Sequence, residues 1–145
     1  MLSRIEGDLK TALKAGEKRR VSTLRLLLSA LRNERIQAQR ELTDEEVEAA
    51  VRRAVKQRRE AIEQYDRGGR RDLVDAETEE LGILQAYLPE ELSETEVEEA
   101  VRSVMAEKGL SSVKDVGLVM KELMARYRGR VDGKRAQEIA RRLLS

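Results

Sequence analysis

Apolar residues recur every three or four positions along most of this chain, a spacing that places them on one face of an α-helix. The first such stripe contains Leu2, Ile5, Leu9 and Leu13, and Gly16 marks its end. The chain has one proline and very few aromatic residues, and 39% of its residues are charged, a mixture that favours helices with long solvated faces. We therefore predict an all-α fold.

Four helices are predicted in the N-terminal part of the chain. Thr43 and Glu46 have the spacing of a capping box, and the Gly68-Gly69 pair breaks the helix that follows. Gly82 lies inside the fourth helix, where it costs about 1 kcal/mol of helix propensity, so we expect close packing against a neighbour there. The predicted helices cover about Leu2 to Ala15, Glu17 to Arg40, Thr43 to Gly68, and Arg70 to Tyr87.

Pro89 marks the predicted domain boundary, because a proline disfavours helical geometry at the residue before it. Beyond it, Ser93 with Glu96 forms a second capping-box pattern, and Ser112 and Asp132 each precede another apolar stripe. The sequence thus predicts an N-terminal four-helix unit over residues 1–90 and a smaller C-terminal three-helix bundle over residues 93–145.

Charge is unevenly distributed although the net charge is only +1. Residues 1–40 carry 10 basic and 4 acidic groups, residues 41–99 carry 8 and 19, and residues 100–145 carry 11 and 5. A phosphate backbone senses the local field over a Debye length of about 8 Å, so each basic end could attract nucleic acid. Solvated helix faces with no ligand are the competing interpretation.

The chain contains no cysteine and no histidine. These absences remove thiol nucleophiles, imidazole bases and Cys/His zinc sites, so an enzyme is disfavoured but not excluded. We predict no catalytic residue, no metal and no cofactor. No apolar run approaches the ~20 residues that span a bilayer, and no disulfide framework suggests secretion, so we expect a cytoplasmic protein with neither membrane nor DNA as a partner.

A basic turn near the C-terminus is the best candidate binding site. Glycines there can adopt backbone angles that other residues avoid, and guanidinium groups suit phosphate oxygens. Gly117 lies one turn into a predicted helix, which suggests a close neighbour, and we favour another helix over a ligand. Tyr87 and Tyr127 fall on apolar stripes and are predicted to be core or interdomain residues and not base-stacking platforms. The predicted RNA-binding residues are Lys121, Arg126, Arg128, Gly129, Arg130, Gly133, Lys134 and Arg135, and a secondary basic patch comprises Lys18, Arg19 and Arg20.

Several segments resemble the GatB/YqeY family. They include the run from Asp115 to Met120, the basic turn from Arg126 to Gly133, and the segment Tyr87-Leu88-Pro89-Glu90-Glu91-Leu92-Ser93. The best-known member of that family is the tail of the B subunit of the glutamine-dependent aspartyl/glutamyl-tRNA amidotransferase, and this chain looks like the free-standing YqeY-like form. Leu118 and Lys121 stand where family members often have a lysine and a small residue.

The resemblance implies a helical module tied to amidation of mischarged tRNA, with tRNA and amidotransferase subunits as partners. Our first hypothesis is a non-catalytic module that recognises the shape and phosphates of tRNA. A second is participation in carbon-nitrogen ligase activity with glutamine as the amide donor, which would need partner subunits. A third is a helical adaptor that binds proteins through the acidic middle of the chain.

Overall fold

The computed structural model describes residues 1–145 and contains seven α-helices, which confirms the all-α prediction. A 3-10 turn at Val113–Asp115 leads directly into the sixth helix. The helices are α1 (Leu2–Ala15), α2 (Lys18–Ala38), α3 (Asp44–Arg67), α4 (Arg71–Gln85), α5 (Glu94–Lys108), α6 (Val116–Arg126) and α7 (Gly133–Leu144).

The chain divides into two compact units, Met1–Leu88 and Pro89–Ser145. The first contains α1 to α4 and the second contains α5 to α7. Each unit has its own cluster of buried apolar side chains. None of the seven helices combines the length and the apolar character needed to cross a membrane.

The core of the first unit lies among its four helices. Helix α3 packs most extensively against α4, and α2 contacts α1, α3 and α4. This core consists mainly of aliphatic residues, and Tyr87 is the only aromatic side chain buried in it. Its most buried members are Ile5, Leu24, Leu27, Leu31, Val47, Val51, Val55, Leu84 and Tyr87.

The three helices of the second unit pack against one another in every pairing. Small residues such as Ala136 and Ala140 are fully buried on α7 and let the neighbouring helices approach closely. The rest of the core comes from valines of α5 with aliphatic residues of α6 and α7: Val97, Val101, Val104, Val119, Leu123, Ile139 and Leu144.

Side chains predicted to cap helices do so in the structure. Thr43 and Glu46 form a reciprocal capping box at α3, and Ser93 and Glu96 form another at α5. Glu46 also pairs with Arg40, and these hydrogen bonds lower the pKa of its carboxyl to about 2. At the other ends of helices, Gly16 and Gly109 have left-handed backbone angles with φ of 72° and 65°.

Helices α2 and α4 differ most from their predicted bounds. Helix α2 begins at Lys18 because Glu17 follows the left-handed Gly16, and it ends at Ala38 because Gln39 itself turns left-handed with φ of 57°. Helix α4 ends at Gln85, two residues before Tyr87, because the Tyr87 amide donates to the Leu84 carbonyl and tightens the last turn.

The expectation of close packing at Gly82 is wrong. A methyl group added at this position would meet no atom within 4 Å. The buried residues of α4 that follow it, Ile83 and Leu84, define the inward stripe, and Gly82 lies on the exposed side.

Candidate nucleic-acid interface

The basic turn connects α6 to α7 through a short irregular segment. The Tyr127 amide donates to the Leu123 carbonyl, and the Arg130 amide donates to the Tyr127 carbonyl at 2.9 Å. Gly129 lies inside this turn with φ of 78°, a left-handed angle that glycine adopts without strain, as predicted. Gly133 differs from expectation, because it is the first residue of α7 and has no positive φ.

Arg130 faces the connector that opens the second unit. Its Nε donates to the Glu90 carbonyl at 3.0 Å, and its own carbonyl accepts from the Leu92 amide at 2.8 Å. Arg130 therefore holds residues 90 to 92 against the basic turn. Its guanidinium is already engaged in this structural role.

Carboxylates engage two more of the predicted cations. Arg126 pairs with Glu107 of α5 and with Glu122, one turn before it on α6. Arg135 pairs with Glu94 at 2.7 Å. The hydrogen bond to Arg126 lowers the pKa of Glu107, and the hydrogen bond to Glu94 raises the pKa of Arg135. Lys134 is exposed and also interacts within the protein. A phosphate would have to compete with these internal partners.

Lys121 and Arg128 are different, because both are exposed and neither has a hydrogen-bond or ion-pair partner. The side chain of Lys114, in the 3-10 turn, is a third exposed cation without a partner. The charge pattern of the sequence did not identify this residue. Lys114, Gly117 and Lys121 are spaced by three and then four residues, so they follow one side of the helix. That spacing is a signal that could have identified Lys114 from the sequence.

Gly117 lies between these lysines on an open surface. A methyl group added there would meet no atom within 4 Å, so the predicted neighbouring helix is absent. Two nearby apolar side chains are also exposed, Leu118, the next residue, at 59% and Val113, four residues earlier, at 50%. We call the surface formed by Val113, Lys114, Gly117, Leu118 and Lys121, with Arg128 at its C-terminal end, the α6 face.

The secondary basic patch is mostly neutralised by internal ion pairs. Arg19 pairs with Glu79 at 2.7 Å, and Arg20 pairs with Glu17 at 2.8 Å. Only Lys18 of this patch is without a partner. The three residues are neighbours in the sequence, but in the structure two of them are ion-paired and one is not.

The two tyrosines occupy different environments. Tyr87 is buried in the first core, and its hydroxyl donates to Asp8. Burial and this hydrogen bond raise the pKa of the Tyr87 hydroxyl. Tyr127 is half-buried and packs against the core of the second unit. The prediction that both side chains serve packing is consistent with these positions.

Comparison with known proteins gives a family match over almost the whole chain. The sequence model described as Yqey-like protein matches residues 2–144. A relative from Pyrenophora tritici-repentis, named altered inheritance of mitochondria protein 41, mitochondrial, is 31% identical over 90% of this chain and 72% of its own length. Proteins of the same name from Lachancea thermotolerans and Vanderwaltozyma polyspora are 31% and 30% identical over 73% and 77% of this chain. The chain spans 58% and 64% of those two relatives.

Proposed function

The chain belongs to the YqeY-like protein family, and from this premise we propose that it is a non-catalytic module that binds tRNA through the α6 face. One observation carries the proposal. Between the 3-10 turn and the first turn of α7, Lys114, Lys121 and Arg128 are the basic side chains with no internal partner, and the two lysines lie three residues before and four residues after the exposed Gly117. Unpaired cations are available for phosphate, and a bare backbone lets a sugar-phosphate chain approach closely.

The tRNA ligand is inferred from the resemblance of this region to the tail of the amidotransferase B subunit. Amidotransferase subunits are accordingly the protein partners that we propose.

The names of the fungal relatives refer to mitochondrial inheritance and specify no ligand. From the sequence we expected a cytoplasmic location and did not anticipate relatives named for mitochondria. The cytoplasmic location stays a prediction for this chain.

The adaptor hypothesis receives less support from the charges. Many carboxylates of the acidic middle are engaged by arginines of the same unit, including Glu46 with Arg40 and Glu48 with Arg52. Arg58 contacts both Glu77 and Glu80, at 3.1 and 3.2 Å. These ion pairs reduce the uncompensated negative charge that the acidic middle offers to a basic partner.

Reversing the charge of Lys121 and Arg128 together is expected to weaken tRNA binding by roughly tenfold or more at low salt, since each neutralised phosphate contributes to affinity through counterion release. Binding should be measured by fluorescence anisotropy over a salt series. The slope of log affinity against log salt should become shallower by roughly 1 for each phosphate that the variant no longer neutralises. Arg130 stays unchanged in this variant because it also holds the connector.

The matched control reverses Lys56 on α3 and Arg102 on α5, two exposed cations without partners. This variant has the same net charge as the test variant. Equal reductions of affinity in both variants would indicate attraction by net charge alone and would contradict a site on the α6 face. Absence of tRNA binding by the unaltered protein at low salt would redirect the search to protein partners.

Replacing Gly117 by alanine separates stability from binding. Alanine is the better helix former, and the space around Gly117 is open, so the free energy of unfolding should rise by about 0.5 kcal/mol. Gly82→Ala on α4 is the matched control, because it also meets open space. We expect both variants to be more stable in urea unfolding but only Gly117→Ala to bind tRNA more weakly. Unchanged tRNA affinity of Gly117→Ala would argue against close approach of the ligand.

A further inference from the structure

Helix α2 carries an exposed apolar surface that is distinct from the α6 face and that the proposed function does not use. This surface consists of two grooves, and Leu26 forms the ridge between them. Groove A, of about 570 Å³, lies between α1 and α2 and is lined mainly by Leu13, Lys18, Val21, Ser22, Arg25 and Leu26. Groove B, of about 410 Å³, lies between α2 and α3 and is floored mainly by Thr23, Leu27, Ala30, Ala50, Ala54 and Ala61.

The apolar exposure of this surface is unusual for the chain. Leu26 is 58% exposed and Leu13 is 48% exposed, although both belong to helices whose opposite faces are buried in the core. Groove B adds a polar feature, since Thr23 is fully buried and its hydroxyl has no hydrogen-bond partner. Buried polar groups normally find a partner, and exposed apolar patches often mark interaction sites.

The two grooves differ in charge. Groove A contains the cations Lys18 and Arg25, neither of which has a partner, and no carboxylate lines it. The charged residues of groove B are paired, Arg53 with Glu34 and Arg58 with Glu77. The surface therefore has an uncompensated positive charge on one side of Leu26 and is balanced on the other. An acidic ligand is the complement of such a surface.

The geometry suits a helical ligand. Ser22, Leu26 and Ser29 are spaced by four and then three residues, which makes one ridge along α2. Helices pack by setting such ridges into the grooves of another helix, and small side chains like the alanines of groove B allow close approach. An apolar floor of leucine, valine and alanine has little to offer a phosphate backbone, which favours protein over RNA.

We propose that this surface binds an acidic amphipathic helix of a partner protein. Apolar side chains of that helix occupy grooves A and B on either side of Leu26, and its carboxylates face Lys18 and Arg25. The site lies wholly in the first unit and is separate from the α6 face, so it can succeed or fail independently of tRNA binding.

The test uses a defined probe, a hydrocarbon-stapled 21-residue helix with leucines on one face and glutamates along one flank. Its twin carries lysine in place of each glutamate. We expect the acidic peptide to bind at least tenfold more tightly than the twin in fluorescence anisotropy. In NMR spectra of the full chain, the acidic peptide should shift the amide signals of Leu13, Leu26 and Ala54.

Two substitutions on α2 make a matched pair. Leu26→Glu should reduce peptide affinity at least tenfold, whereas Ile36→Glu should leave it unchanged, because Ile36 is equally exposed on α2 but lines neither groove. Lys18→Glu with Arg25→Glu should remove the preference for the acidic peptide over its twin.

Several outcomes would overturn the proposal. They are absence of binding by the acidic peptide, equal affinity for both peptides, and shifts confined to residues outside the two grooves. Vesicles of phosphatidylglycerol, or tRNA, that shift the groove signals when the peptide does not would identify a lipid surface or an RNA as the ligand. A dimer in sedimentation velocity that Leu26→Glu dissociates would instead identify a second copy of the chain as the occupant.

Discussion

Leu123→Ala is expected to lower the free energy of unfolding by about 3 kcal/mol, because truncating a buried leucine removes its transfer free energy and leaves a cavity. Leu123 is fully buried in the core of the second unit. It packs in a small unit, Pro89–Ser145, where few other side chains can compensate. Urea unfolding followed by circular dichroism measures the decrease in stability.

Leu118→Ala is the control for this prediction, since it makes the same chemical change on the same helix. Leu118 is 59% exposed, so its truncation should change stability by no more than about 0.5 kcal/mol. Equal effects of the two substitutions would contradict the orientation of α6 in the second unit. The α6 face would then no longer point to solvent, and the proposed tRNA site would lose its basis.

Helical periodicity and capping signals predicted the fold well, because both act over a few neighbouring residues. The pairs Thr43 with Glu46 and Ser93 with Glu96 are three residues apart and form the expected capping boxes. Gly16 and Gly109 end their helices for the equally local reason that glycine tolerates left-handed angles. The end of α2 was missed because Gln39, which has no such preference, adopts the left-handed turn.

The two helical glycines show what periodicity alone cannot determine. Gly82 and Gly117 have no side chain, so neither contributes to the apolar stripe that assigns a position to the core or to solvent. Both were expected to mark close packing, and both instead meet open space. The structure was needed to show that Gly117 leaves bare backbone on the surface.

The candidate site was predicted only in part, because ion pairing depends on tertiary structure. The ion pair of Arg126 with Glu122 follows from their spacing of four residues on one helix. Its pairing with Glu107 spans 19 residues, and that of Arg135 with Glu94 spans 41. In the sequence, Arg126, Arg128 and Arg135 are equivalent cations. In the structure, Arg128 is the one of the three without a partner.

Tyr87→Ala is expected to lower the free energy of unfolding by about 4 kcal/mol, the usual range for deleting a buried aromatic ring. Tyr87 is 4% exposed and belongs to the core of the first unit. Arg4 lies over its ring at 4.8 Å and donates to the Ala86 carbonyl. The ring therefore joins α1 to the chain that follows α4. Thermal and urea unfolding of the full chain measure the effect.

Tyr87→Phe separates the hydroxyl from the ring. It keeps the packing and the interaction with Arg4 but removes the hydrogen bond to Asp8, so we expect a decrease of about 1.5 to 3 kcal/mol, as for other hydrogen bonds to charged groups. The pKa of the Tyr87 hydroxyl is raised, so its contribution is complete below the ordinary value of 10.0 and declines above it. The difference between Tyr87→Phe and the unaltered protein should therefore shrink as the pH rises past 10. A decrease in Tyr87→Phe as large as that in Tyr87→Ala would instead show that the hydroxyl, and not the ring, secures this part of the first unit.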